Sequence, residues 1–152
     1  MAAIELDYDR LGSRLVSIGG TPVGYDRLGS RASQVGDLEL GYDHLGSRLS
    51  AIGARTLDYD HLGTRPKQLG EWDLAYDWMG TRLSRIGTLA IEYDRLGSRV
   101  HTIGELVLEY DRLGSRAKRV VVPGDRAELS NDELVIVFFV LFEEERAAEK
   151  QD

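Results

Sequence analysis

Tyr8-Asp9-Arg10-Leu11-Gly12-Ser13-Arg14 is the stretch that decides how this chain folds, because it comes back along the whole sequence. Its tyrosine recurs at positions 25, 42, 59, 76, 93 and 110, each 17 residues after the last, with no insertion or deletion. A fixed period marks a repeat architecture, in which one unit cannot bury its apolar face without its neighbours.

The unit reads as two turns joined by two strands. Asp-Arg-Leu-Gly suits a type I turn followed by a glycine bulge, which makes a three-residue hairpin loop. A second glycine follows at 19, 36, 53, 70, 87 and 104, and Gly-X suits a two-residue type II′ turn. In the sixth unit this register pairs Ile103 with Leu106, His101 with Leu108, Asp111 with Ser115 and Tyr110 with Arg116. Period-two alternation then sets Ile103, Leu106, Leu108, Tyr110 and the arginine on one face, with Asp, Ser and small or polar residues on the other. Tyrosine and arginine side by side on one face are placed for cation–π stacking. Leu11, Leu28, Leu45, Leu62, Met79, Leu96 and Leu113 fall inside the tight turn, where they either close the end of the structure or form the corners of a parallel β-solenoid. The turn chemistry favours antiparallel hairpins.

Counted from Ile4 to Val122, the array predicts about fourteen strands. Pro22 weakens the third, because proline removes a ladder donor. Arg55 and Trp72 replace the aliphatic residue after the Gly-X turn, and Pro66 takes an outward position after Arg65. Pro123-Gly124 ends the array, and residues 123–130 form a linker. Ser130 with Glu133 reads as a capping box, with Asn131 as the other candidate N-cap. The spacing predicts a helix over 131–150. Its stretch 134–142 is nine apolar residues without a break, too short to span a bilayer. A helix apolar all round must be surrounded, and a one-sided sheet must be covered. The expectation is a single domain, 1–152: an all-β, fourteen-stranded antiparallel meander (4–122) closed into a barrel around the buried segment 134–142. Fourteen strands at about 4.8 Å spacing and about 40° tilt enclose roughly 28 Å, room for a helix about 10–12 Å wide and a layer of side chains.

Composition narrows the functional classes. The net charge of −7 lies mostly beyond residue 126, where eight acids face Arg146 and Lys150. The array itself is nearly neutral, which argues against nucleic-acid binding. With no cysteine, thiolate chemistry and disulfides are excluded. No basic and apolar leader opens the sequence, and a cytoplasmic protein is expected.

The unit resembles the YD repeats of Rhs and teneurin-type proteins, whose signature is Tyr-Asp, two residues, Gly and a nearby Arg. The likeness covers residues 8–116. It implies β-hairpins in a spiralling sheet that encloses a cavity. The chain departs from it in its shorter unit, the extra Ser or Thr between Gly and Arg, its small size, and the lack of a toxin or autoprotease segment. A barrel around a C-terminal apolar helix is also similar to the tubby and phospholipid scramblase architecture, by arrangement rather than by any motif.

No catalytic constellation stands out. Ser13, Ser30, Ser47, Ser98 and Ser115 belong to the repeat, and His44, His61 and His101 have no metal-ligand spacing. No catalytic, cofactor or metal residues are therefore assigned. The third heptad position departs from arginine in three consecutive units, as His44, His61 and Trp78. On adjacent hairpin tips these would make a rim for a partner or a sugar ring. The reading is a non-enzymatic repeat module that binds a protein partner or self-associates. A carrier of a small apolar ligand is the alternative, and an enzyme comes third.

Overall fold

The computed structural model describes residues 2–9, 14–26, 31–43, 48–60, 65–77, 82–94, 99–110 and 116–150, with side chains up to 144. Fourteen strands and one helix alternate with the two turns of the repeat: β1 (Ala2–Tyr8), β2 (Leu15–Ile18), β3 (Thr21–Tyr25), β4 (Ala32–Val35), β5 (Leu38–Tyr42), β6 (Leu49–Ile52) and β7 (Arg55–Tyr59), then β8 (Pro66–Leu69), β9 (Trp72–Tyr76), β10 (Leu83–Ile86), β11 (Leu89–Tyr93), β12 (Val100–Ile103), β13 (Leu106–Tyr110), β14 (Ala117–Val122) and α1 (Asn131–Lys150). Each strand pairs antiparallel with its sequence neighbours. The last, β14, pairs with the first, so the hydrogen-bonded order is a closed barrel. The meander expected from the turn chemistry is present, and the solenoid alternative is not. Two compact units divide the chain, Leu6–Ala90 and Met1–Glu5 with Ile91–Asp152.

The Gly-X turns form as anticipated. Gly36, Gly53, Gly70, Gly87 and Gly104 have φ between 58° and 62°, and among the described residues no non-glycine residue has positive φ, as a type II′ turn requires. Flanking pairs such as Val35 with Leu38 and Ile103 with Leu106 follow from it. Gly53 has a second reason to lack a side chain: a Cβ there would lie 2.8 Å from Cδ2 of Leu38.

The tyrosine side of the repeat corrects the sequence reading. Asp9 N–H donates to the Arg14 carbonyl at 2.9 Å, and the same bond recurs from Asp26 to Arg31 through Asp94 to Arg99. Four residues therefore lie between the bonded pair, where the three-residue loop places three between Asp and Ser. Tyr110 stands opposite Ala117, not Arg116, and Glu109 opposite Arg119. The register shift between Glu109 and Tyr110 leaves Lys118 as a bulge residue, and its counterparts are Val16, Ser33, Ser50, Lys67, Ser84 and His101. A bulge puts two residues against one and interrupts strict alternation. That is why Ala32 and Val35, three apart, are both buried. It also moves the arginine off the apolar face and puts the next residue there. Pro66, expected outward, is buried.

The two strand prolines are accommodated differently. Pro22 accepts from Gly36 N–H at 2.8 Å, as Glu39, Thr56 and Asp73 accept from Gly53, Gly70 and Gly87. That recurring bond uses the carbonyl, which proline keeps, so β3 persists as a strand. Pro66 likewise offers its carbonyl, to Tyr76.

The helix starts where the capping box placed it. Ser130 Oγ accepts from Glu133 N–H at 3.1 Å, and Glu133 Oε1 accepts from Ser130 N–H at 2.9 Å, so Ser130 is the N-cap. Arg126 clamps the same carboxylate with both terminal nitrogens, at 2.7 and 2.9 Å. From Val135 to Leu141 every residue is buried, so apolar side chains are covered on all faces of the helix. Phe138 packs against Phe142 with ring centroids 5.9 Å apart. Toward the other end, Glu144 Oε2 accepts from Val100 N–H at 3.0 Å, which fixes the helix against the start of β12. Among the described residues no helix is long and apolar enough to cross a membrane.

Four outcomes test this account. Phe139→Ala, at a site with no exposure, should cost about 3–5 kcal/mol in chemical denaturation. Gly53→Ala should cost about 1–2 kcal/mol because its φ of 62° is left-handed. Gly24→Ala should be neutral or mildly stabilising, since its Cβ would meet Gln34 Cβ at an ordinary 3.7 Å. The Arg126 pairing, then the Ser130 N–H, holds the Glu133 carboxyl below its ordinary 4.5. Its contribution is full above that value and disappears as pH falls through the depressed pKa. Acid titration of Glu133→Gln should therefore show a stability deficit at neutral pH that narrows below about pH 4.

Candidate functional site

The polar residues of the repeat engage one another across neighbouring hairpins. Tyr25 Oη donates to the Leu15 carbonyl at 2.7 Å, Tyr42 to Ala32 at 2.7 Å, Tyr59 to Leu49 at 2.6 Å, Tyr76 to Pro66 at 2.6 Å and Tyr110 to Val100 at 2.8 Å. Over each ring lies the arginine of the preceding repeat. Arg14 sits 4.5 Å from the Tyr25 centroid, Arg31 4.3 Å from Tyr42 and Arg48 4.1 Å from Tyr59. The arginine Nε in turn faces the aspartate five residues earlier, at 3.2 Å for Arg14–Asp9 and 2.8 Å for Arg99–Asp94. Asp, Arg and Tyr therefore form one rung per repeat. The stacking expected from the sequence is present, but it joins consecutive repeats.

The second turn carries one departure from this plan. Where other repeats place Thr21, Leu38, Leu89 or Leu106, two adjacent repeats place Arg55 and Trp72. The Arg55 guanidinium lies 4.3 Å from the Trp72 ring, and its Nε faces Glu71 at 3.3 Å. Its stem covers Gly70, while Trp72 covers Gly87. The pair rebuilds, at this turn, the cation–π contact that Arg and Tyr make at the other. Outside it, Glu71, Asp73, Arg85, Gly87 and Thr88 line an open hollow of about 510 Å³.

His44, His61 and Trp78, the rim singled out in the sequence, lie outside the described residues. The aspartates and arginines that flank them, Asp43 and Arg48, Asp60 and Arg65, Asp77 and Arg82, sit on consecutive hairpins and make the standard rungs. Among the described residues no group of three or more histidines and carboxylates could hold a metal ion, and no polar or charged side chain is fully buried. What the arrangement offers is a half-buried arginine–indole pair beside an open, charged hollow. Sequence reading noted Arg55 and Trp72 as departures but gave them no role, because their contact depends on strand register.

Burial, opposed by Arg31, pushes the Tyr42 hydroxyl up to about 12. An acid with a raised folded pKa loses stability as pH climbs past its unfolded value of about 10. Denaturation midpoints should therefore fall between about pH 10 and 12, and Tyr42→Phe should flatten that limb. Tyr59→Phe should cost about 1 kcal/mol at neutral pH by removing the bond to the Leu49 carbonyl.

Comparison with known proteins returned no family model, no curated protein and no solved structure that matches this chain.

Proposed function

We propose that this protein is a non-catalytic repeat scaffold, a barrel that presents its outer face to a protein partner or to further copies of itself. The observation that carries this reading is the unbroken burial of Val135 to Leu141 in α1. A helix covered on every face needs a wall on every side, and a closed sheet supplies one. In this reading the helix fills the lumen, and the space that a carrier or an enzyme would keep for its ligand belongs to the chain itself. The rungs support the same view, since the polar residues that recur are engaged in holding hairpins together. The likeness to YD repeats supports the enclosing sheet of hairpins, and the filled interior is where this reading departs from it.

Truncation after Gly124 tests the filled interior. It should give an aggregated or unfolded chain, and a soluble monomer of unchanged stability would overturn the reading. Native mass spectrometry of the full chain should show the bare polypeptide or an oligomer of it. A stoichiometric small apolar molecule that travels with the protein would favour the carrier instead.

A further inference from the structure

The outer face contains an internal standard for how this fold treats an arginine. Arg119 on β14 stands opposite Glu109 on β13 and Glu5 on β1. It binds both carboxylates, at 3.1 and 3.4 Å. Two other donors at this repeat position also find an acid: Ser17 bonds Asp7 at 2.8 Å, and Thr102 bonds Glu92 at 3.4 Å. Arg85 occupies the same position two repeats before Arg119. Its register partners are Ala75 on β9 and Ala90 on β11. Its guanidinium is exposed and makes no ion pair or hydrogen bond among the described residues.

Resting on the scaffold reading, we propose that Arg85 is the anchor of a protein-docking surface, and that the partner supplies the carboxylate which Ala75 and Ala90 omit. Three observations favour a peptide chain as the occupant. Arginine matches a planar carboxylate with two parallel hydrogen bonds and is less strongly hydrated than lysine. Two alanines beside it leave room, and the hollow lined by Arg85, Gly87 and Thr88 lies open next to it. Glu71 and Asp73 line the same hollow. Asp73 has no ion pair among the described residues. These carboxylates repel a polyanion such as a nucleic acid and attract a cation. The surface therefore selects a segment in which an acidic side chain, for Arg85, lies next to a basic one, for Asp73.

The test uses the full-length labelled chain and the acetylated hexapeptide Glu-Lys-Glu-Lys-Glu-Lys. NMR should show a saturable shift of the Arg85 Nε–Hε signal while that of Arg119 stays in place. The double variant Ala75→Glu/Ala90→Glu should bind at least tenfold more weakly, because its own carboxylates would hold Arg85 as Glu109 and Glu5 hold Arg119. It should also melt no lower than the parent, which separates lost binding from lost fold. The proposal is overturned if the parent shows no saturable shift, if a hexalysine peptide at equal ionic strength shifts Arg85 as much, or if the folded double variant binds like the parent. Such a failure leaves the scaffold reading to be judged by truncation and native mass.

Discussion

Everything regular in this molecule depends on a tyrosine hydroxyl reaching a backbone carbonyl on the hairpin before it. That contact crosses ten residues, from Tyr25 to Leu15 and from Tyr59 to Leu49. It works only because the bulge turns the residue after arginine inward and leaves its carbonyl in reach. The arginine, displaced from the apolar face by the same bulge, lies over the next ring and keeps its charge beside an aspartate. A cation–π contact at a half-exposed position contributes roughly 0.5–1 kcal/mol, and a surface ion pair less. Neither would order a hairpin alone. Repeated around a closed set of strands, they select one register over its slips, and a slip by one residue would send the apolar side chains to the wrong face.

Much of this was legible beforehand, and the boundary of what was legible is physical. The Gly-X turns were readable because positive φ and a two-residue loop leave glycine as the only easy choice. The capping box was readable because it is local, with Ser130 and Glu133 three residues apart. Strand number followed from the period, and enclosure of the helix from its lack of a polar face. The bulge was not legible. A three-residue and a four-residue loop satisfy the same Asp and Gly, and what separates them is a hydrogen bond between Asp and Arg backbones that side-chain identity does not encode. Without the bulge, a register that pairs Tyr110 with Arg116 would also set Arg119 against Val107 instead of Glu109, and the contrast between Arg119 and Arg85 would disappear.

The repeats divide the surface into positions under constraint and positions free to vary. Tyr, Arg, Asp and the second glycine are held by contacts that recur. The residue after the Gly-X turn is held more loosely. It has to cover the next glycine, and Thr21, Leu38, Arg55 and Trp72 all do so. The outward residues that follow the bulge are looser still, ranging through Ser17, Gln34, Ala51, Gln68, Arg85, Thr102 and Arg119. A fold of this kind separates constrained from variable positions by strand face, so the outward residues can change without disturbing closure.

That closure also sets how the molecule can change size. An open array of repeats gains or loses a unit with a proportionate change in stability, since each unit touches only its neighbours. Here β1 is the missing half of the hairpin that β14 begins. The sheet has no terminal repeat to fray and none to delete. Removing 17 residues takes away a sector of a ring whose remaining strands must all change tilt and stagger to meet again. The repeat number therefore behaves as a fixed integer, and sequence drift within repeats is the easier route by which such a protein can diversify.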